Sequence, residues 1–165
     1  MSLQKLFLAC AETLNESRPI EKDAKRCLQQ AKPKQELGFG PNNLPPQIQE
    51  IMRRQDALPL CDMIRQMAFH WSPPTTSASS KYIKDSRAKS HVELVGPEGL
   101  ALSDNFRIGL YGMMANSAYG IRTHPAEEII SCWQVKYFGR WAQVNIDRIM
   151  PGRALIILAI WNMQI

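Results

Sequence analysis

Thr123-His124-Pro125-Ala126-Glu127-Glu128 is the stretch on which the reading of this sequence turns. An imidazole is followed within four residues by two carboxylates. In a strand, His124 and Glu128 share one face, because side chains alternate with period two. Glu127 points the other way and is the weaker ligand candidate. Imidazole plus carboxylate suits a divalent transition ion such as Fe, Mn, Co, Ni or Zn, which makes His124 and Glu128 the candidate metal ligands. The spacing alone is a weak signal and fits a turn histidine flanked by solvated glutamates better.

Outward from this segment, short apolar runs lie at His91–Val95, Phe106–Met114, Ala118–Ile121, Glu128–Trp133 and Trp141–Ile146, with Gly-Pro, Ser-Asp-Asn and Asn-Ser turns between them. The period is that of strands. Farther upstream it is helical. Leu3, Leu6, Phe7, Cys10 and Leu14 follow the i, i+3, i+4, i+7 spacing, so Ser2 to Gln30 is expected as helix with one face packed. Pro33 to Pro46, with Gly38, Gly40 and repeated prolines, reads as a long loop. Helical spacing resumes from Gln47 through Ile48, Ile51 and Met52, breaks at Pro59, and continues through Leu60, Met63, Ile64 and Met67.

Trp71-Ser72-Pro73-Pro74 and the Thr/Ser-rich stretch after it mark the internal boundary. Residues 1–75 are expected as a helical extension and 76–165 as the β domain. Helices followed by antiparallel strands make the chain α+β, mainly β, as a sheet or barrel.

Composition narrows the function classes. At 165 residues the chain has room for one substantial core. A net charge of +5 permits an anionic partner. The Lys and Arg residues are spread along the chain, however, and the densest stretch, Lys81 to Lys89, lacks interleaved aromatics, so no nucleic-acid partner is expected. Cys10, Cys27, Cys61 and Cys132 stand far apart with no metal-finger spacing, which reads as free thiols in a reducing compartment. No run is long enough to span a membrane and no secretory signal is evident, so a cytoplasmic location without a membrane partner is expected.

The words around the central segment add a resemblance. Residues 107–133, RIGLYGMMANSAYGIRTHPAEEIISCW, resemble the first motif of the cupin-type dimethylsulfoniopropionate (DMSP) lyases of bacteria, in which a GL-rich strand leads through a tyrosine to HPAEE. Val92-Glu93-Leu94-Val95-Gly96-Pro97 is similar to that family's approach strand, and the leading helices to its N-terminal extension. The likeness is good over residues 71–152 and loose over the helices.

The resemblance implies a cupin-type β-barrel (double-stranded β-helix) carrying one divalent metal. The implied enzyme is a carbon–sulfur lyase that splits DMSP by β-elimination into dimethyl sulfide and acrylate. Carried over by position, His124 and Glu128 match metal ligands and Tyr119 matches a tyrosine at the substrate site. Its partner would be the small-molecule substrate, with homo-oligomerisation left open.

Two positions depart from the pattern. Arg122 stands where many members have a second histidine, and Ile130 where some have a tyrosine. The catalytic base is therefore not assigned; Tyr119, the remaining nearby tyrosine with a family counterpart, is the candidate catalytic residue and fits a barrel wall equally well. Trp133, Tyr137 and Trp141 could surround a sulfonium cation or simply form core. The alternatives are a cupin enzyme of another class, such as a dioxygenase, and a non-catalytic cupin that binds small molecules, to which Arg122 and Ile130 point.

After Pro151-Gly152, where a second cupin motif with another histidine is expected, the chain reads RALIILAIWNMQI without a ligand. The barrel is expected to be incomplete at this end, with two metal ligands of the usual three or four and sheet edges left uncovered. A shifted reading frame offers an explanation. Across the codon junctions, Trp161-Asn162 forces Glu, Asn162-Met163 gives His or Tyr, and Met163-Gln164 forces Ala. One permitted reading of residues 154–165 is Ala-His-Tyr-Pro-Ser-Tyr-Met-Glu-His-Ala-Asn, which is similar to the missing motif. A frameshift near Gly152 is the resulting expectation.

Overall fold

The computed structural model describes residues 2–40, 42–74, 83, 86–87, 89–115, 127–132, 136–137, 140–141 and 155–163. It is an α+β arrangement in which helices α1 (Leu3–Glu12), α2 (Pro19–Gln30), α3 (Pro46–Met52) and α4 (Pro59–Gln66) precede the strands β1 (Lys89–Val95), β2 (Phe106–Met113), β3 (Glu127–Cys132), β4 (Lys136–Tyr137), β5 (Arg140–Trp141) and β6 (Leu155–Asn162).

The expected helix over Ser2 to Gln30 is two helices. Ser2 opens α1, its hydroxyl accepting the Lys5 N–H, and Leu3, Leu6, Phe7, Cys10 and Ala11 form the buried stripe. The chain leaves this helix at Thr13 and passes through Glu16 at φ 58°. Pro19 then starts α2, where its missing N–H costs nothing. Glu21 reaches back to accept hydrogen bonds from the Arg18 N–H at 3.1 Å and the Ser17 hydroxyl at 2.8 Å, which satisfies a carboxylate that is almost fully buried. Prolines also stand at the starts of α3 and α4, so Pro59 begins a helix rather than interrupting one.

The long loop between α2 and α3 is tied down by specific bonds. Glu36 accepts the Leu3 N–H at the start of α1, and the Lys34 N–H donates to the Leu100 carbonyl. Asn43 exchanges two hydrogen bonds with the backbone of Trp71, at 2.7 and 2.9 Å.

The main sheet has the antiparallel order β1-β2-β6-β3, and β4 pairs with β5 in a separate two-stranded ribbon. Leu155–Asn162, where the sequence reading placed no strand, is a central strand paired on both sides. The correction has a simple cause. Ile156 to Ile160 are all buried, and a strand covered on both faces is a continuous apolar run rather than an alternating one.

Period two gives the sheet two unlike faces. Phe106, Ile108 and Leu110 of β2, with Ile156, Leu158 and Ile160 of β6, join residues of all four helices in one hydrophobic cluster. Gly112 belongs to this face, and a Cβ on it would come within 3.0 to 3.2 Å of Ile48 and Leu44. The opposite face carries Arg107, Gly109, Tyr111 and Met113.

Candidate functional site

Of the residues expected at the site, Tyr119 and His124 lie outside the described residues, as do Arg122 and Trp133. Glu128 is the second residue of β3. Its Cα partner is Trp161 of β6, which in turn pairs with Arg107 of β2. The backbones of Glu128 and Arg107 therefore stand in one row across three strands. Ile130 is paired with Ala159 two positions along the same ladder. Of the aromatic candidates, Tyr137 opposes Arg140 in the β4–β5 ribbon, and Trp141 opposes Lys136.

The described part of the face opposite the helices contains a polar group on β1 and β2. His91 pairs directly with Tyr111, their rings 4.4 Å apart between centroids and tilted by 34°. Tyr111 is buried and His91 half-buried. Between them and Arg107 sits Gly109, where a Cβ would come within 2.6 Å of His91 Nε2 and 3.2 Å of the Val92 carbonyl. Any larger residue there would have to displace the imidazole.

Glu93, two residues along β1 from His91, accepts from Arg107 Nη1 at 3.2 Å and from the Glu98 N–H at 3.1 Å. Its side chain is 11% exposed and that of Arg107 35%, so the pair sits at the margin of solvent. Gly96 makes room for the carboxylate, since a Cβ at its φ of 157° would fall on the Glu93 side chain.

Chemically, this face offers an imidazole against a phenol, two groups able to pass a proton, and a guanidinium held in place by a carboxylate. A guanidinium so fixed keeps further N–H donors for an anionic group. Neither His91-Val92-Glu93 nor Arg107-Ile108-Gly109-Leu110-Tyr111 was expected to supply site residues. The signal was present in both, as polar residues at alternate positions of apolar strands. Among the described residues, no group of three or more His, Cys, Asp or Glu is placed to hold a metal ion.

No family model matches the sequence, and no curated protein matches it. Solved structures do. A chain from the crystal structures of the DMSP lyases RdDddP and RnDddQII superposes with a TM-score of 0.53 at 17% identity, covering 97% of this chain and 92% of the other. DMSP lyase DddQ from Ruegeria pomeroyi DSS-3 aligns with a TM-score of 0.49 at 16% identity, over 99% of this chain and 92% of that one. The fold of this chain is therefore like that of a DMSP lyase.

Proposed function

We propose that this chain is a metal-dependent carbon–sulfur lyase acting on DMSP. The observation that carries the reading is the conjunction of the HPAEE segment, whose glutamates open β3, with a DMSP lyase-like fold spanning nearly the whole chain. On this reading residues 76–165 are a cupin-type barrel and residues 1–75 its helical extension. The protein acts in the cytoplasm on a small zwitterion.

The reaction is a β-elimination. A base takes the proton from the carbon next to the carboxylate, the electron pair of that C–H bond forms the C=C bond of acrylate, and the C–S bond breaks with its pair leaving on dimethyl sulfide. His124 and Glu128 are the side chains proposed to hold the divalent ion, and the imidazole–carboxylate donor set suits Fe, Mn, Co, Ni or Zn. When bound, the ion would supply positive charge at the substrate carboxylate and so acidify the adjacent C–H. Tyr119 is assigned to the substrate site. Arg107, fixed by Glu93, is suited to an anionic group approaching the same face.

A non-catalytic binding role is the second reading. Ile130 favours it, because a residue that can neither coordinate nor move a proton stands in β3 next to the proposed ligand. So does β6, which supplies a strand without supplying a metal-binding side chain. The frameshift proposal accounts for the latter, and reading the DNA beyond the codon for Gly152 tests it. Codons incompatible with the shifted His and Glu would remove it.

The function itself is tested by headspace analysis for dimethyl sulfide, together with metal analysis, on the protein as written and with the frame restored. The lyase reading expects dimethyl sulfide from the restored protein and its loss in His124→Ala and Glu128→Ala. Restored protein that binds metal but releases no dimethyl sulfide would instead point to another cupin chemistry, and metal-free protein to the binding role.

A further inference from the structure

A cleft of about 450 Å³ opens away from the sheet, between the ends of α3 and α4 and the loop before α3. Its walls include Phe39, Asn42, Gln49, Arg53, Arg65 and Gln66. Two arginines thus share one small concavity, and among the described residues no Asp or Glu lines it.

Three backbone carbonyls around the cleft are already occupied. The Arg65 carbonyl accepts from Asn42 Nδ2 at 2.8 Å, the Gln66 carbonyl from the Gly40 N–H, and the Leu44 carbonyl from Gln49 Nε2 at 2.9 Å. These bonds take up three backbone acceptors at the cleft, and the charged residues of its lining are both arginines. Arg65 gives one nitrogen to the exposed Asp62, which also accepts from Gln66, but its Nε–H is buried with no acceptor among the described residues. Arg53, exposed at the end of α3, has no acid partner among the described residues. Phe39 stands on the rim, 62% exposed.

We propose that this cleft is a binding site for a small organic anion, its carboxylate or phosphate held between Arg53 and Arg65 and its apolar portion covered by Phe39. Planar, charged donors suit either oxyanion. A large exposed aromatic beside them favours a ligand with an apolar body over a bare inorganic ion. The site is independent of the lyase chemistry proposed on the sheet.

Titration of the full chain, followed by amide chemical shifts, tests the proposal with four probes: acetate, benzoate, inorganic phosphate and phenyl phosphate. Saturable shifts in residues 39–66 are expected, with each aromatic probe tighter than its small counterpart. The better pair tells carboxylate from phosphate. Arg53→Gln should weaken binding roughly tenfold, the loss expected for one charge-assisted hydrogen bond. Arg65→Lys, which keeps the charge but removes the Nε–H, should weaken it less, and Phe39→Ser should abolish the advantage of the aromatic probes. Arg53 and Phe39 are exposed, so those two variants should fold as the parent does. Absence of saturable shifts with every probe, or equal affinity in the parent and Arg53→Gln, would overturn the proposal.

Discussion

The two faces of β2 are built from the same strand but follow different rules. Toward the helices, Phe106, Ile108 and Leu110 lose their contact with water by joining a cluster that draws on every helix. On the other side, Arg107, Gly109 and Tyr111 stand among polar groups of β1. The first face gains from volume and close fit, the second from placement. A substitution should therefore be felt mainly in stability on the one side and in the geometry of polar groups on the other.

The sharpest way to break this contrast is to remove volume from the helix face. Leu110→Ala should cost about 2–5 kcal/mol in urea denaturation, because a fully buried leucine leaves both lost transfer energy and a cavity. A loss under about 1 kcal/mol would show that the helices do not pack on this face as described. Gly109→Ala, on the other face, should cost about 1–3 kcal/mol. It should also shift the His91 imidazole resonances, since the new methyl group occupies the space beside Nε2. Unchanged histidine signals would place the ring elsewhere.

Arg107→Met keeps most of the side-chain volume and removes the charge. It should destabilise by about 1–2 kcal/mol, the range for leaving a mostly buried carboxylate without its cation, reduced because solvent reaches the guanidinium. A double-mutant cycle with Glu93→Gln measures the coupling, and a coupling near zero would mean that the pair is not formed.

The smallest effect concerns pH. Burial pushes the Cys10 thiol well above its ordinary value of 9.0, and the nearby Cys61 adds to the shift. Above that ordinary value the thiol ionises in the unfolded chain and stays protonated in the folded one. The unfolded state then binds fewer protons, and stability falls as pH rises above about 9. Cys10→Ala should flatten this alkaline limb when urea midpoints are compared from pH 8 to pH 10.5. An identical slope in the variant would remove Cys10 as its source.

Much of the fold was legible because its signals are local. The stripe at Leu3, Leu6, Phe7 and Cys10, the Pro-rich loop before α3 and the change to strand spacing near Lys89 each fix an element without reference to the rest of the chain. The division between α1 and α2 was missed because the spacing of Leu3 to Leu14 was carried on through Asn15-Glu16-Ser17-Arg18-Pro19, where it lapses and the chain turns through Glu16 before Pro19 starts the next helix. Leu155–Asn162 was read for ligands it lacks, although its unbroken apolar run is what a doubly covered strand looks like.

For the candidate site, Glu128 could be placed because its strand pairs in a definite register, whereas Tyr119 and His124 lie outside the described residues. The His91–Tyr111 and Glu93–Arg107 pairs were not foreseen. Residues far apart in sequence become neighbours only once the β1–β2 register is known.

The position of β6 bears on how the molecule is made. In the order of synthesis it follows every other strand of the main sheet, yet it lies between β2 and β3, which do not touch each other. Until it emerges, the two must wait with open hydrogen-bonding edges, the condition in which nascent chains pair with the wrong neighbour. The strand that contributes no metal-binding side chain is thus the one that closes those two edges.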